Sequence, residues 1–351
     1  MALGSDIRSL FLLRESPVRW PIAVQAAVAI GLPTLGFAIA GQPALGLLAS
    51  SGAFTALYLA GRSRRQRAIS LPFIAAGLIL ASAIGVVSSG SLALSLAAIA
   101  AVAIVAAILC LGFSAGPPGG LFFVLVAGVG SHLAGPPSLG GAGLDGGLVV
   151  GMLAIGCAIA YLVVLSPLLL ASRRRADATL HEMRQPFHFA LDDISRIIVT
   201  RIAIGAVIAA LLSAPLGIHR AYWVVLTVVV ILQNGHRIRL TALRAIHRVL
   251  GTLFGVGVFA LIALADPRGI VLALVLMALQ FTVELIVIRN YGLALVLITP
   301  LALTISAQSG DVGATVADRV VDTVLGAAIA VIVLIAALLA RRVRPGALPG
   351  A

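Results

Sequence analysis

The stretch Ser91–Gly112, SLALSLAAIAAVAIVAAILCLG, runs 22 residues without a single charge. About 20 apolar residues in a helix span the hydrocarbon core of a bilayer, so a block of this length reads as a membrane helix. Similar blocks lie on both sides of it. Of 351 residues, 61% are hydrophobic and only 10% are charged. A soluble domain carries about 25% charged residues, so too few polar groups remain to cover a water-facing surface. The sequence therefore predicts an all-α, polytopic membrane helix bundle.

Twelve spans fit the pattern. They are expected near 20–40, 44–60, 69–88, 91–112, 119–134 and 147–170, then near 197–214, 218–233, 245–265, 269–288, 291–308 and 320–340. Tyr222–Gln233 is barely long enough, which suggests a broken or half-buried helix lining a cavity. The N-terminal residues Asp6, Arg8, Arg14 and Glu15 precede a long helix beginning at Trp20, a pattern unlike a cleaved signal peptide.

Charge orients these spans. The formal net charge is +12, and all 24 basic residues are Arg. With the N-terminus inside, clusters at Arg62–Arg67, Arg173–Arg175, Arg237–Arg248 and Arg341–Arg344 fall on the cytoplasmic side. Only Arg220, Arg268 and Arg319 fall outside, among the acidic loop residues Asp145, Asp266, Asp311 and Asp318. Positive residues gather on the cytoplasmic side of membrane proteins, so both termini are expected there, in a bacterial-type cell membrane. The same pattern accounts for the charge without nucleic acid. Lacking any Lys, the chain has neither a phosphate-cradling P-loop nor Schiff-base chemistry. No nucleophile–base set, cofactor signature or metal-ligand spacing occurs, so an enzyme is not expected. Cys110 and Cys157 sit inside apolar runs as packing residues.

The two halves resemble each other. Arg19 precedes Pro33 by 14 residues, as Arg201 precedes Pro215, and an Arg cluster follows the second span of each half. Gly120-Leu-Phe-Phe-Val-Leu answers Gly292-Leu-Ala-Leu-Val-Leu, and Leu169-Leu-Ala-Ser-Arg-Arg answers Leu338-Leu-Ala-Arg-Arg. The expected organisation is a first six-helix repeat (1–171), a cytoplasmic helical linker (172–196), a second six-helix repeat (197–344) and a tail (345–351). Parallel repeats place a transport path at their interface.

The second half also carries a family pattern: Ala-Pro215-Leu-Gly, Ala221-Tyr-Trp-Val-Val-Leu-Thr227 through Gln233, then Arg244, Arg248, Gly251-Thr-Leu-Phe-Gly-Val, Asn290-Tyr291-Gly and Leu-Ile-Thr299-Pro300-Leu. This order resembles the fusaric acid resistance (FUSC) family over about 197–340. In the first half, Gly46-Leu-Leu-Ala-Ser-Ser-Gly-Ala-Phe-Thr fits the pattern more weakly. The resemblance implies an inner-membrane efflux component for small, often aromatic, carboxylic acids, akin to aromatic acid exporters and more distantly to plant malate transporters. Many such relatives carry a large cytoplasmic helical domain after six spans, where this chain has only the linker.

Several residues are candidates for that work. Glu284 lies inside a span, where a charge costs about 2.5–3.5 kcal/mol on insertion scales and usually faces the bundle interior. It is the candidate proton carrier, with Asp322 as a second. The plain alternative pairs Glu284 with Arg289. Arg244 and Arg248 share a helix face and, with Arg237, Arg239 and His247, could draw organic anions to a cytoplasmic mouth. Arg289, Asn290 and Tyr291 suit carboxylate capture at a turn, or act as an interfacial anchor. Thr299 precedes a helix-interior proline that can open a cavity. Tyr222 and Trp223 read as interfacial belt aromatics. Asp318 and Asp322 flank Arg319 and invite local pairing. Gly251 and Gly255 suit close helix packing. The reading favoured by these features is gradient-driven efflux of a small organic anion. A passive anion channel and a non-transporting scaffold are the alternatives. A homo-oligomer or a periplasmic adaptor is an admissible partner beside the lipid bilayer.

Overall fold

The computed structural model describes residues 15–17, 19–182, 188–214, 221–233, 238–306 and 312–343. Arg8, Arg14, Arg184, Pro215, Arg220, Arg237, Asp311 and the tail 345–351 lie outside the described residues, as do the side chains of Arg239, Arg341 and Arg342. Among the described residues the chain forms thirteen α-helices and no strand. They are α1 (Trp20–Ile39), α2 (Pro43–Ser50, prolonged by a 3₁₀ turn, Ser51–Leu57), α3 (Arg64–Ser88), α4 (Leu92–Gly112), α5 (Leu121–Ala134) and α6 (Gly146–Leu165). Then come α7 (Ala171–Glu182), α8 (Asp193–Ser213), α9 (Tyr222–Leu232), α10 (Ile238–Ala265), α11 (Gly269–Ile286), α12 (Tyr291–Ser306) and α13 (Val312–Val343).

Eight of these helices hold a segment long and apolar enough to cross a membrane: α1, α3, α4, α6, α8, α10, α11 and α13. Their outer faces carry exposed apolar side chains such as Phe73, Val87, Phe254 and Leu264. Water would penalise such a surface, whereas hydrocarbon accepts it. This is a multi-pass membrane protein. The other four apolar helices are short: Pro43–Leu57, Leu121–Ala134, Tyr222–Leu232 and Tyr291–Ile305. They occupy the second and fifth positions of each half. At 1.5 Å per residue, α9 is about 16 Å long, roughly half the hydrocarbon thickness. All eleven of its residues are buried. It sits within the protein, where its unpaired ends avoid lipid.

The same packing pairs recur in both halves. Helix α3 packs on α5 as α10 packs on α12, the turn after α2 packs on α6 as α9 packs on α13, and α3 packs on α6 as α10 packs on α13. Across the halves, α1 lies against α11 while α8 lies against α4. Glycines permit the closest approaches. A Cβ on Gly156 of α6 would overlap the Ala49 carbonyl of α2, and one on Gly326 of α13 would fall 2.7 Å from the Thr227 Cβ of α9. Gly251 and Gly255 do the same for α10 on α12: a Cβ at either would come within 2.6 Å of Leu295 or Thr299.

Side-chain caps start several helices. Ser63, Ser91, Asp145 and Asp192 accept backbone N–H bonds at the N-termini of α3, α4, α6 and α8, each satisfying a donor the helix leaves open. The Ser195 hydroxyl and N–H both bond Asp192, which holds its carboxyl below the usual Asp range. Helix α7, in the linker, adds a second cap. Its buried Asp177 accepts from the N–H groups of Arg64 and Arg65. The linker is thereby bound to the first turn of α3.

Candidate functional site

Glu284, on α11, is buried at 6% exposure and its Oε2 accepts from Arg19 Nη2 at 2.9 Å. Its Oε1 accepts from Gln280 Nε2, one turn earlier, at 3.3 Å. Arg19 caps the start of α1, so the ion pair ties a helix of the first half to one of the second. The alternative partner, Arg289, is exposed and instead donates from Nε to Ser16 Oγ at 3.0 Å. Its neighbour Asn290 is buried and accepts from the Leu293 N–H at 3.0 Å, capping α12. Arg289 and Asn290 thus act on separate segments, and Arg289 is not part of a pocket with Glu284.

A second polar group lies within the second half. Arg248 on α10 is 3% exposed, and its Nη1 donates to the Tyr291 hydroxyl at 3.2 Å. Arg244, one turn earlier and half-buried, stacks its guanidinium 4.8 Å from the centre of the Tyr291 ring. These three candidates do come together. Thr299 is fully buried on α12 at the Gly255 crossing.

Arg319 and Asp322, expected to pair locally, do interact with each other. Both are buried on α13, at 1% and 0% exposure. The Arg319 guanidinium lies over the Trp223 ring, 3.6 Å from its centre, a distance for strong cation–π attraction in a dry setting. Arg319 also interacts electrostatically with Arg248, Asp322, Tyr222 and Tyr291. Tyr222 and Trp223 are accordingly not belt aromatics. They are buried at 3% and 2% because α9 is enclosed by α10, α13, α5 and α8. A positive-inside count had set Arg319 outside and Arg248 inside. Their helices, α10 and α13, pack against each other in the bundle.

Two small cavities line the boundary between the halves. One, of about 40 Å³, is bordered by Ser95, Gly128, Ser131 and His132 of the first half and Tyr222 of the second. The other, of about 30 Å³, lies among Phe54, Leu125, Leu153, Trp223, Ala302 and Ile305. Each has room for a water or two, whereas pockets for small organic ligands run to about 300–1,000 Å³. Neither cavity as it stands admits such a ligand.

Comparison with known proteins fits the second half. Residues 202–333 match the family described as fusaric acid resistance protein-like. The match runs from within α8 to within α13, and so takes in Arg244, Arg248, Glu284, Tyr291, Arg319 and Asp322 but not Arg19. The chain is 32% identical over 132 residues to "Uncharacterized membrane protein YvaC" of Bacillus subtilis (strain 168), covering 38% of this chain and 21% of that one. It is 32% identical over 133 residues to "Uncharacterized protein YhfK" of Escherichia coli (strain K12), covering 37% and 18%. The chain thus spans about a fifth of the length of these curated relatives. No solved structure matches. The fusaric acid resistance-like segment therefore supplies the second polar group whole, whereas the Arg19–Glu284 pair needs the first half as well.

Arg19 and Arg319 were the partners that sequence reasoning missed. Arg19 read as one more cytoplasmic anchor, and nothing in its neighbourhood tells that α1 will lie against α11. The cation over Trp223 joins residues 96 positions apart, beyond any local pattern.

Proposed function

We propose that this protein is a carrier, not an enzyme, that moves small organic acids, aromatic ones among them, out across the inner membrane on an ion gradient. The observation that carries the reading is the buried ion pair between Arg19 of the first half and Glu284 of the second. A carboxylate in that position can either hold the two halves together as an anion or take a proton and release Arg19. Two such states are what a gradient-driven carrier needs to open its halves alternately around a path. The small boundary cavities, the recurring helix pairs and the family match support the same reading. Export with both termini cytoplasmic, and use of a periplasmic adaptor or a second copy, belong to this proposal.

The test is flux in proteoliposomes loaded with benzoate, with and without an imposed pH gradient. Glu284→Gln keeps the shape and cannot carry the proton, so gradient-driven flux should fall at least tenfold. Flux that persists unchanged in that variant removes the proton-carrying role. A second reading, passive anion conduction, draws on the two guanidiniums buried near one another, Arg248 and Arg319. It predicts benzoate flux that follows the anion gradient alone and ignores the pH gradient.

A further inference from the structure

Arg248 on α10 and Arg319 on α13 are both buried and carry the same charge, on helices that pack against each other. Bringing two guanidiniums out of water is costly unless partners satisfy them. Asp322, one turn from Arg319 on α13, supplies one negative charge. One positive charge is left over among these three groups. The hydrogen bonds are also incomplete. Among the described residues Arg248 Nε and Nη2, and Arg319 Nε and Nη1, have no hydrogen-bond partner. Nearby, the buried Trp223 Nε1 and Thr252 Oγ1 have none either, and Thr252 lies one turn beyond Arg248 on the same face of α10.

The open atoms of Arg248 matter most. Nη1 is spent on Tyr291, so the free edge is Nε with Nη2. The N–H bonds of that edge run parallel, the geometry that grips both oxygens of one carboxylate. The first half supplies a comparison. Arg67 lies 181 residues before Arg248, at the matching point of α3, and is buried at 3%. Its Nη1 donates to Gln25 Oε1 at 3.0 Å and its Nη2 to the Ala56 carbonyl at 2.6 Å. The fold can therefore satisfy both terminal nitrogens of a buried Arg at this position, leaving only Nε open, and at Arg248 it leaves Nη2 open as well.

We infer that Arg248 and Arg319 form a binding site for a small monovalent carboxylate in the interior of the second half. The fork of Arg248 holds the carboxylate oxygens, Arg319 balances the charge from the other side, and Trp223 fixes Arg319 by its ring. The 30 Å³ cavity on the Trp223 side is where a ring or alkyl body would go once the halves part. The choice of an organic acid as ligand rests on the proposed function; the presence of an anion site rests only on these residues.

The experiment uses purified full-length protein in detergent, with no gradient. Trp20 and Trp223 are the only two tryptophans, and Trp20 is exposed. A Trp20→Phe protein therefore reports from Trp223 alone. Titrated with benzoate, it should show a saturable change in tryptophan fluorescence, and calorimetry should give the same Kd. Arg248→Gln and Arg319→Gln should each weaken benzoate at least tenfold. Arg268→Gln, in an exposed loop, should leave it unchanged. Should the Gln variants fail to elute as folded protein, Arg248→Lys keeps the charge and loses the parallel fork, and must still weaken binding at least fivefold. Equal affinity for benzoate and benzylammonium, no saturable binding, or a Kd within threefold of wild type in the Arg variants overturns the site. Binding intact without any vesicle flux refutes the transport reading and leaves the site standing. Flux intact without benzoate binding refutes the site alone.

Discussion

Replacing either partner of the Arg19–Glu284 pair should destabilise the protein far more than replacing both. The two groups meet at 2.9 Å, with side-chain exposures of 17% and 7%. Removing one partner of a buried pair typically costs about 3–5 kcal/mol, because it strands the other charge. Arg19→Met strands the buried Glu284, which can neutralise itself by taking a proton, and this places the variant at the lower end, about 3 kcal/mol. Glu284→Leu strands a cation that can bend toward the surface, and should cost about 2–3 kcal/mol. The double variant Arg19→Met/Glu284→Leu leaves no stranded charge and replaces the pair with apolar contact, an exchange that is often neutral or favourable. Its expected cost is about 1 kcal/mol or less.

The measurement is equilibrium unfolding of all four proteins in mixed micelles, completing a double-mutant cycle. The coupling energy should be at least about 2 kcal/mol. Single changes that add within about 0.5 kcal/mol in the double variant would refute the argument that the pair fastens α1 to α11, and with it the idea that protonating Glu284 frees one half from the other. The packing of α1 on α11 gives the pair its leverage. Gly31 of α1 lies so close to Met277 of α11 that a Cβ there would overlap the Met side chain, so the two helices are seated along a seam and the ion pair closes one end of it.

Two further outcomes test the fold itself. Gly156→Ala puts a Cβ onto the Ala49 carbonyl, where backbone cannot yield, and should cost about 1–3 kcal/mol in the same unfolding assay, while Gly36→Ala, with nothing within 4 Å, should cost far less. Asp177→Ala removes the cap on the Arg64 and Arg65 N–H groups and should cost about 1 kcal/mol, with faster amide exchange at those two residues and unchanged exchange in the middle of α3.

The membrane architecture was legible because hydrocarbon leaves a strong mark. Blocks such as Leu92–Gly112 have no charged residue, and their apolar extent alone places their ends within a few residues. What lipid and protein interior share was not legible. The all-apolar run Tyr222–Leu232 looks the same whether it faces acyl chains or other helices, and only the packing of α10 and α13 around it decides that Tyr222 and Trp223 are interior. The candidate site divided along the same line. Arg244 and Arg248 share one helix face and were grouped from spacing, whereas Tyr291, read with Arg289 and Asn290 at a turn, joins them only through the crossing of α10 and α12. Arg319 sits between two Asp residues in sequence, which suggested a local pair, yet its ring partner comes from α9. Glu284 announced itself by its charge, but its partner lay 265 residues away.

The difference between the halves carries more functional weight than their likeness. The matching helices pack in matching pairs, and a buried Arg recurs at residues 67 and 248. In the first half that Arg is bonded by Gln25 and the Ala56 carbonyl and serves packing. In the second its fork is open, a second Arg approaches it, and a carboxylate, Asp322, lies alongside. The counterpart of Glu284 falls near Gly112, where Phe189 packs against the glycine and no charge is present. The first half thus contributes Arg19 to the cross-half pair, and the second holds Glu284, Arg248, Arg319 and Asp322. A structure of this kind need not pass its ligand along a symmetric seam. It can bind the anion within the second half and use the first, through Arg19, to sense whether Glu284 is charged. On that arrangement, anion binding at Arg248 and release of Arg19 are separate events on α10 and α11, coupled only through α12, which packs on both. A substitution that loosens the α10–α12 crossing, Gly255→Ala, should then leave benzoate binding intact and uncouple flux from the pH gradient, which measuring the two in one preparation would decide.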